Sequence, residues 1–295
     1  MRSVLVTGAT GSVGSRVVRE LQARGAPVRA FVRDPAKAAR LLGESVELAV
    51  GDFSDLGSLR RALDGIDRVL LACSNQPRQV EHETAVIDAA AAAGARRLVK
   101  LSSIGVRVGS PVAFWDWHGR IEQHLERSGI PAAILRSNFY MTSLLASAEQ
   151  IRHEGRFFMP VEGARAAMID PGDVAAVAAI LLTAEDFAAG TRVLSGPEAI
   201  TFARVAEELS AATGRRIEFV AVPDEAARRG MLAAGMPEWL VDPFIALAGQ
   251  LRQGVGEPTT DTVRALTGRE PRSFGQLARV HAAMFATPSS TSAPR

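Results

Sequence analysis

Val4-Leu5-Val6-Thr7-Gly8-Ala9-Thr10-Gly11-Ser12-Val13-Gly14 is an apolar β run that breaks at a glycine and turns into a helix opening near Ser12. Glycines at every third position leave room where a side chain would block the backbone from an approaching phosphate. The first free N–H groups of the helix then face the phosphate oxygens, and the positive end of the helix dipole adds to the attraction. Gly-rich turns also close ordinary strand-helix connections. Here a second alternating strand, Val28-Arg29-Ala30-Phe31-Val32, arrives after a helix-length gap and completes the strand-turn-helix-strand unit of a dinucleotide site. Gly8, Thr10, Gly11, Ser12, Val13 and Gly14 are therefore the candidate pyrophosphate contacts.

Outward from that turn the alternation continues. Apolar Val46 to Val50, helix-like Leu56 to Leu63, Arg68 to Ala72, an alanine-rich helix through Ala93, Arg97 to Leu101, the helix Ile121 to Arg127 and Ala132 to Leu135 follow in order. Six strands alternating with helices predict an α/β chain with a Rossmann-type, doubly wound parallel sheet. In such sheets ligands lie beyond the carboxyl ends of the strands, where the strand order reverses. That rule gathers Thr7-Gly8, Arg33, Asp52-Phe53, Ala72-Cys73-Ser74, Leu101-Ser102-Ser103 and Arg136-Ser137-Asn138 into one rim. Past about residue 150 the pattern loosens, and prolines and glycines from Pro223 to Pro258 punctuate a mostly helical end. The expected division is a Rossmann domain over 1–155, with its sheet completed by about 190–200, a smaller substrate domain over 156–286 and a Ser/Thr/Pro-rich tail over 287–295.

Composition narrows the class. The 295 residues are 47% hydrophobic, enough for a large core, and the net charge is only +2. Lys37 and Lys100 are the only lysines beside many arginines. No basic run is interleaved with aromatics, so a nucleic-acid groove is not expected. The longest apolar stretch, Val174 to Leu182, is too short to span a membrane and reads as a buried helix. Cys73 is the single cysteine, which excludes an intramolecular disulfide and a multi-cysteine zinc cluster and fits a reducing cytoplasm. His82 and His153 have no partners at metal-ligand spacing, so no metal is expected. No secretory leader is expected at the N-terminus, and the chain reads as a monomer or homodimer.

Arginine near position 20 after the glycines accommodates the 2′-phosphate of NADP, whereas an acidic residue there takes the ribose hydroxyl of NAD. Arg33 occupies that place and Lys37 follows one helical turn later, a pair suited to a phosphate. Asp34 is adjacent. NADP is the expected cofactor, with NAD the alternative if the Asp34 carboxylate turns inward.

Thr7 to Gly14, Arg33-Asp34-Pro35, Gly51-Asp52-Phe53-Ser54-Asp55, Leu135-Arg136-Ser137-Asn138-Phe139 and Ile169-Asp170-Pro171-Gly172-Asp173-Val174-Ala175, in this order and spacing, resemble the NmrA-like atypical short-chain dehydrogenase/reductases. The resemblance covers roughly residues 1–225. It implies that Asp52 and Phe53 lie beside the adenine and that Ala72, Cys73 and Ser74 run along the middle of the cofactor. It also implies that Ser102 and Ser103 correspond to the strand-five serines, whose hydroxyls can orient a carbonyl. Asn138, Phe139 and Tyr140 would stand near nicotinamide and substrate. Cys73 itself reads as a small buried residue, since no base is evident beside it.

Short-chain reductases usually carry Tyr-x-x-x-Lys on the helix after strand five, where the lysine lowers the tyrosine pKa and the tyrosine supplies a proton. Aligned on Glu122, this chain places His118 at the lysine position and Phe114 at the tyrosine position, and its only tyrosine, Tyr140, lies elsewhere. His118 titrates near neutrality as a free side chain and is the candidate acid-base residue, with packing or a ribose contact as its alternative. Ser103 is the second catalytic candidate. His124 points to another face and is expected to be solvated. Phe114, Trp115, Trp117, Tyr140 and Phe158 are candidates to line an apolar pocket, and Phe157 and Met159 could join them. The expected activity is NAD(P)H-dependent reduction of a hydrophobic or aromatic small molecule such as a quinone or polycyclic ketone, natural-product tailoring or oxygenation included. The alternative is a dinucleotide sensor that regulates a partner protein, as the resemblance also allows.

Overall fold

Val4–Val6 forms β1, buried along its whole length, which is why it reads as an unbroken apolar run. The computed structural model describes residues 3–286; the expected tail from Thr287 lies outside them. After β1 come α1 (Gly14–Ala23), β2 (Val28–Val32), α2 (Pro35–Leu42), β3 (Glu47–Val50), α3 (Leu56–Leu63), β4 (Arg68–Leu71) and α4 (Gln79–Ala92). Then follow β5 (Arg97–Ser103), α5 (Ala113–Arg127), β6 (Ala132–Ser137), α6 (Ala148–Glu154), β7 (Arg156–Met159), β8 (Arg165–Ala166), α7 (Pro171–Thr183) and β9 (Gly190–Leu194). The chain ends with β10 (Ile200–Thr201), α8 (Phe202–Thr213), β11 (Glu218–Ala221), α9 (Asp224–Ala233), α10 (Glu238–Arg252), α11 (Thr262–Thr267), α12 (Phe274–Val280) and α13 (Ala282–Phe285).

Seven parallel strands in the order β3-β2-β1-β4-β5-β6-β9 make the main sheet. The connection from β3 passes back over β1 to β4, so the topological switch lies between β1 and β4, where a doubly wound sheet binds its ligand. Thr7 joins the two strand ends: its hydroxyl contacts Ala72 O at 2.9 Å and accepts from Ala72 N at 2.8 Å. Beneath the sheet, Val17, Val18 and Leu21 bury one face of α1, and Leu59, Leu63, Ile87 and Leu98 belong to the core on the α3–α4 side.

A seventh strand, β9, joins the sheet outside β6, within the 190–200 range where the sheet is expected to be completed. Two elements differ from the expectations. The helix α5 begins at Ala113 rather than Ile121. Phe114, Trp115, His118, Ile121 and Leu125 are buried at helical spacing, so the helical face extends upstream of the apolar residues that first suggest it. Pro243 does not punctuate the C-terminal region but sits inside α10.

The chain forms two compact units. One takes the residues up to Asn138 with Pro171–Ser195 and Thr260–Glu270; the other takes Phe139–Asp170, Gly196–Thr259 and the chain from Pro271. The second unit is mostly helical, with two small sheets, β7 beside β11 and β8 beside β10. Phe157, Phe202 and Phe285 are fully buried in its core, and Phe219 packs on Phe157 and Phe202 with ring centroids 5.4 and 5.9 Å away. Among the described residues no helix is long and apolar enough to cross a membrane, and no cluster of three His, Cys, Asp or Glu is placed to hold a metal.

Candidate cofactor and acid-base site

The glycine turn is shaped by contacts that leave no room for side chains. Gly8 has φ +59° and a Cβ there would lie 2.8 Å from Ala72 O, at the end of β4. A Cβ on Gly14 would come within 2.2 Å of Gly8 O, so α1 enters the turn only because that position is bare. A Cβ on Gly11 would meet only Gly8 O, at 3.1 Å, and otherwise project into open space. Gly11 N donates to Gly8 O at 2.9 Å and Ser15 N to Gly11 O at 3.1 Å. The N–H groups of Ser12, Val13 and Gly14 have no partner among the described residues. The helix opens at Gly14 rather than near Ser12, so Ser12 and Val13 belong to the turn and present those donors from its open side. A row of unpaired N–H groups at a helix start is an anion site.

Past β2, Asp34 caps α2 by accepting from Lys37 N at 2.9 Å, with Pro35 at the first helical position. That contact engages one of the two carboxylate oxygens, Oδ1, and holds Asp34 at the start of α2. Arg33 and Lys37 are exposed, with no side-chain partner among the described residues, and remain free for a phosphate. Beyond β3, Asp52 Oδ1 accepts from Ser54 Oγ at 2.6 Å and Ser54 N at 2.9 Å, which holds its carboxyl below the usual range. Phe53 stacks on Phe31 at 5.6 Å and meets His82 in a tilted contact at 5.8 Å. His82 is buried, with both ring nitrogens unpaired. Ala72 is buried, Cys73 half-buried and Ser74 exposed, in sequence along the end of β4. Burial, then the nearby Glu83 carboxylate, pushes the Cys73 thiol up to about 11, so it is no nucleophile at neutral pH.

The centre of the rim differs most from expectation. His118 is 8% exposed, and burial followed by the charge on Lys100 drives its pKa well below 6.5. It does not titrate near neutrality; it is a neutral imidazole. Lys100, on β5, is fully buried, with Nζ 2.8 Å from Glu83 Oε2 and 3.1 Å from His118 Nδ1. Nζ also donates to Leu101 O. Gln79 Nε2 holds the other Glu83 oxygen at 2.8 Å. Burial pushes the Glu83 carboxyl up, and Lys100 opposes that shift. Three acceptors around one amine match the three N–H groups of an ammonium, although the Glu83 contact is an ion pair at a poor hydrogen-bonding angle.

Ser102 and Ser103 are both engaged. Ser102 Oγ donates to Glu122 Oε1 at 2.6 Å, and Arg136 grips the same carboxylate through Nε at 3.2 Å and Nη2 at 2.5 Å. Ser103 Oγ accepts from Trp115 Nε1 at 3.1 Å, and the Trp115 indole lies against Gly105, where a Cβ would come within 2.6 Å of the ring. Trp115 is therefore packed at 3% exposure rather than open to a pocket. Phe114 and Trp117 meet edge to face at 6.2 Å. His124 is not simply solvated, since Nε2 lies 2.6 Å from Asp88 Oδ1. Asn138 is buried, and its N–H donates to Leu194 O at 2.9 Å on β9. Tyr140 and Phe158 lie in the second unit, Tyr140 in a bridge with Ile169 and Phe158 37% exposed on β7. Glu83 and Lys100 were not anticipated as site residues; the signal available was a lysine inside an apolar strand of a chain with only two lysines.

A model of the NmrA-like family matches residues 1–250. The NAD(P)H azoreductase of Xenophilus azovorans is 38% identical over 282 residues, 96% of this chain and 99% of that protein. The (4-alkanoyl-5-oxo-2,5-dihydrofuran-3-yl)methyl phosphate reductase of Streptomyces griseus is 37% identical over 284 residues, 96% of this chain and 99% of that protein. Among solved structures, the NADPH-dependent quinone oxidoreductase of Escherichia coli in complex with NADPH superposes with TM-score 0.85 at 26% identity, covering 93% of this chain and 98% of that one.

Proposed function

The chain belongs to the NmrA-like family, and from that premise we propose that it is an NAD(P)H-dependent oxidoreductase acting on a hydrophobic or aromatic acceptor, with quinones as the leading class. The observation that carries this reading is the turn: three unpaired N–H groups beside glycines that admit no Cβ fit a dinucleotide pyrophosphate. NADP is favoured over NAD because Arg33 and Lys37 stand exposed and without a side-chain partner among the described residues. Relatives named as an azoreductase and a quinone oxidoreductase support an aromatic acceptor.

When bound, the reduced dinucleotide supplies hydride, and the chain supplies everything else. Ser12, Val13 and Gly14 hold the pyrophosphate, Arg33 and Lys37 the 2′-phosphate, and Phe53 an apolar wall for the adenine. His118 would serve as a neutral imidazole, not an imidazolium, through a hydrogen bond. Phe114 and His118 stand where Tyr and Lys are usual, so no phenol delivers the proton. Quinones suit such a site, because a hydroquinone anion is stable enough to take its proton from water, with the neutral His118 ring acting only through a hydrogen bond.

Phe114 in the tyrosine position favours a second reading, a dinucleotide-sensing regulator. Purified protein with NADPH and a panel of quinones and azo compounds, followed by loss of nicotinamide absorbance, separates the two. Turnover supports the oxidoreductase. Tight NADPH binding with no turnover on any acceptor leaves the sensor.

A further inference from the structure

We propose that Lys100, backed by Glu83 and Gln79, is a positioning residue that fixes the His118 ring with Nδ1 as acceptor and Nε2 as the N–H donor. Lys100 lies in β5 between Val99 and Leu101, and both it and Glu83 are fully buried. Buried ion pairs seldom add net stability, so this one calls for another role.

The geometry supplies it. An ammonium has donors only, so a ring nitrogen 3.1 Å from Lys100 Nζ must accept, and the imidazole proton is left on Nε2. That second nitrogen has no partner among the described residues, and it is not among the fully sealed unpaired atoms. Gln79 fixes the Glu83 carboxylate, Glu83 fixes Lys100 and Lys100 fixes the ring, through side chains from α4, β5 and α5. Other charged groups nearby are occupied. On α5, Asp116 holds Gly109 N at 2.8 Å and Arg120 at 2.9 Å, and Glu122 is bound by Arg136 and Ser102. From the end of β4, Cys73 is an uncharged thiol. Lys100 is thus the one charge placed to choose the tautomer.

A donor of fixed direction differs from a free histidine, which samples both tautomers and protonates as the pH falls. With Nε2–H locked, the site offers an acceptor oxygen a hydrogen bond when charge arrives and no competing lone pair. This use of the donor rests on the oxidoreductase reading; the tautomer does not.

Ring-nitrogen NMR on the histidine-labelled full chain without cofactor tests the tautomer. The five histidines keep the spectrum simple, and His118→Gln assigns the signal. The wild-type ring should show an unprotonated Nδ1 and a protonated Nε2 at pH values above the ordinary histidine pKa of about 6.5. Lys100→Met alone strands Glu83, so the comparison uses Glu83→Gln with Lys100→Met, which removes both charges and keeps the Gln79 contact. There the two nitrogen signals should move toward each other as the ring averages its tautomers. A wild-type proton on Nδ1, or a double variant that keeps the wild-type separation, overturns the proposal. Where quinone turnover exists, the double variant should lower kcat about tenfold with the KM for NADPH unchanged. The locked tautomer without any turnover would uphold the positioning role and sink the oxidoreductase reading instead.

Discussion

The turn after β1 and the cluster between β5 and α5 occupy the same rim of the same sheet but are built in opposite ways. The turn works through backbone: its donors are N–H groups, and its specificity comes from three places where side chains are absent. The cluster works through side chains, four of them from three elements, held out of water where each charge must be matched. A backbone site resists most substitutions and fails at a few; a buried charge network fails when any member is removed alone.

That contrast can be broken most forcefully at Lys100. Lys100→Met leaves Glu83 buried without its cation and should lose about 3–5 kcal/mol in denaturant unfolding. Adding Glu83→Gln should restore most of it. Equal stability of the single and double variants would mean that the pair is not coupled. The turn offers the matching test. Gly14→Ala drives a methyl to within 2.2 Å of Gly8 O and should weaken NADPH binding about 100-fold, roughly 2.7 kcal/mol, in a fluorescence titration. Gly11→Ala meets only Gly8 O at 3.1 Å, so its melting temperature should hold while the methyl on the open side still lowers affinity.

Arg33→Ala should cost NADPH about 1.5–3 kcal/mol of binding and leave NADH nearly unchanged, since only the 2′-phosphate loses a charged partner. Equal losses for both would remove Arg33 from the phosphate.

The acid limb of stability sharpens the other side. The folded pKa of His118 lies below its unfolded value near 6.5, so between them the unfolded chain holds a proton that the folded chain refuses. The contribution is present above about pH 6.5 and is lost as the pH falls, at about 1.4 kcal/mol per pH unit. Denaturant unfolding from pH 7 to 5 should show that slope in the wild type and not in His118→Gln. The smallest effect is at Cys73: with its thiol pushed up to about 11, alkylation at pH 8 should be slower than for a free thiol and accelerate steadily with pH.

The same contrast governs what could be read from the sequence. Gly8, Gly11 and Gly14 are legible because a missing side chain at fixed spacing is a local mark of a backbone constraint. The place of Arg33 at the end of β2 is legible because its distance from the turn is set by one helix and one strand. The pairing of Lys100 with Glu83 and His118 is not, since α4, β5 and α5 come into register only through the sheet. Ser102 reads as a cofactor contact by position, yet its hydroxyl is committed to Glu122, a partner that no spacing rule supplies. The strand β9 is legible only as a region near 190–200 that completes the sheet, without bounds. Gly190-Thr191-Arg192-Val193-Leu194 is an edge strand, and its outer residues are too exposed and polar to make an apolar run.

One consequence concerns the order in which the protein is made. In the first unit α1 packs against α7, a helix buried on nearly every side, so the element that ends the glycine turn rests on one encoded far downstream. At about 5–20 residues per second, α7 leaves the ribosome roughly 10–30 seconds after α1. Until then Val17, Val18 and Leu21 lack part of their cover. The nascent chain therefore carries its nucleotide signature from the outset but completes the support for it late, and a fragment ending near Asn138 should expose that face to chaperones or aggregate.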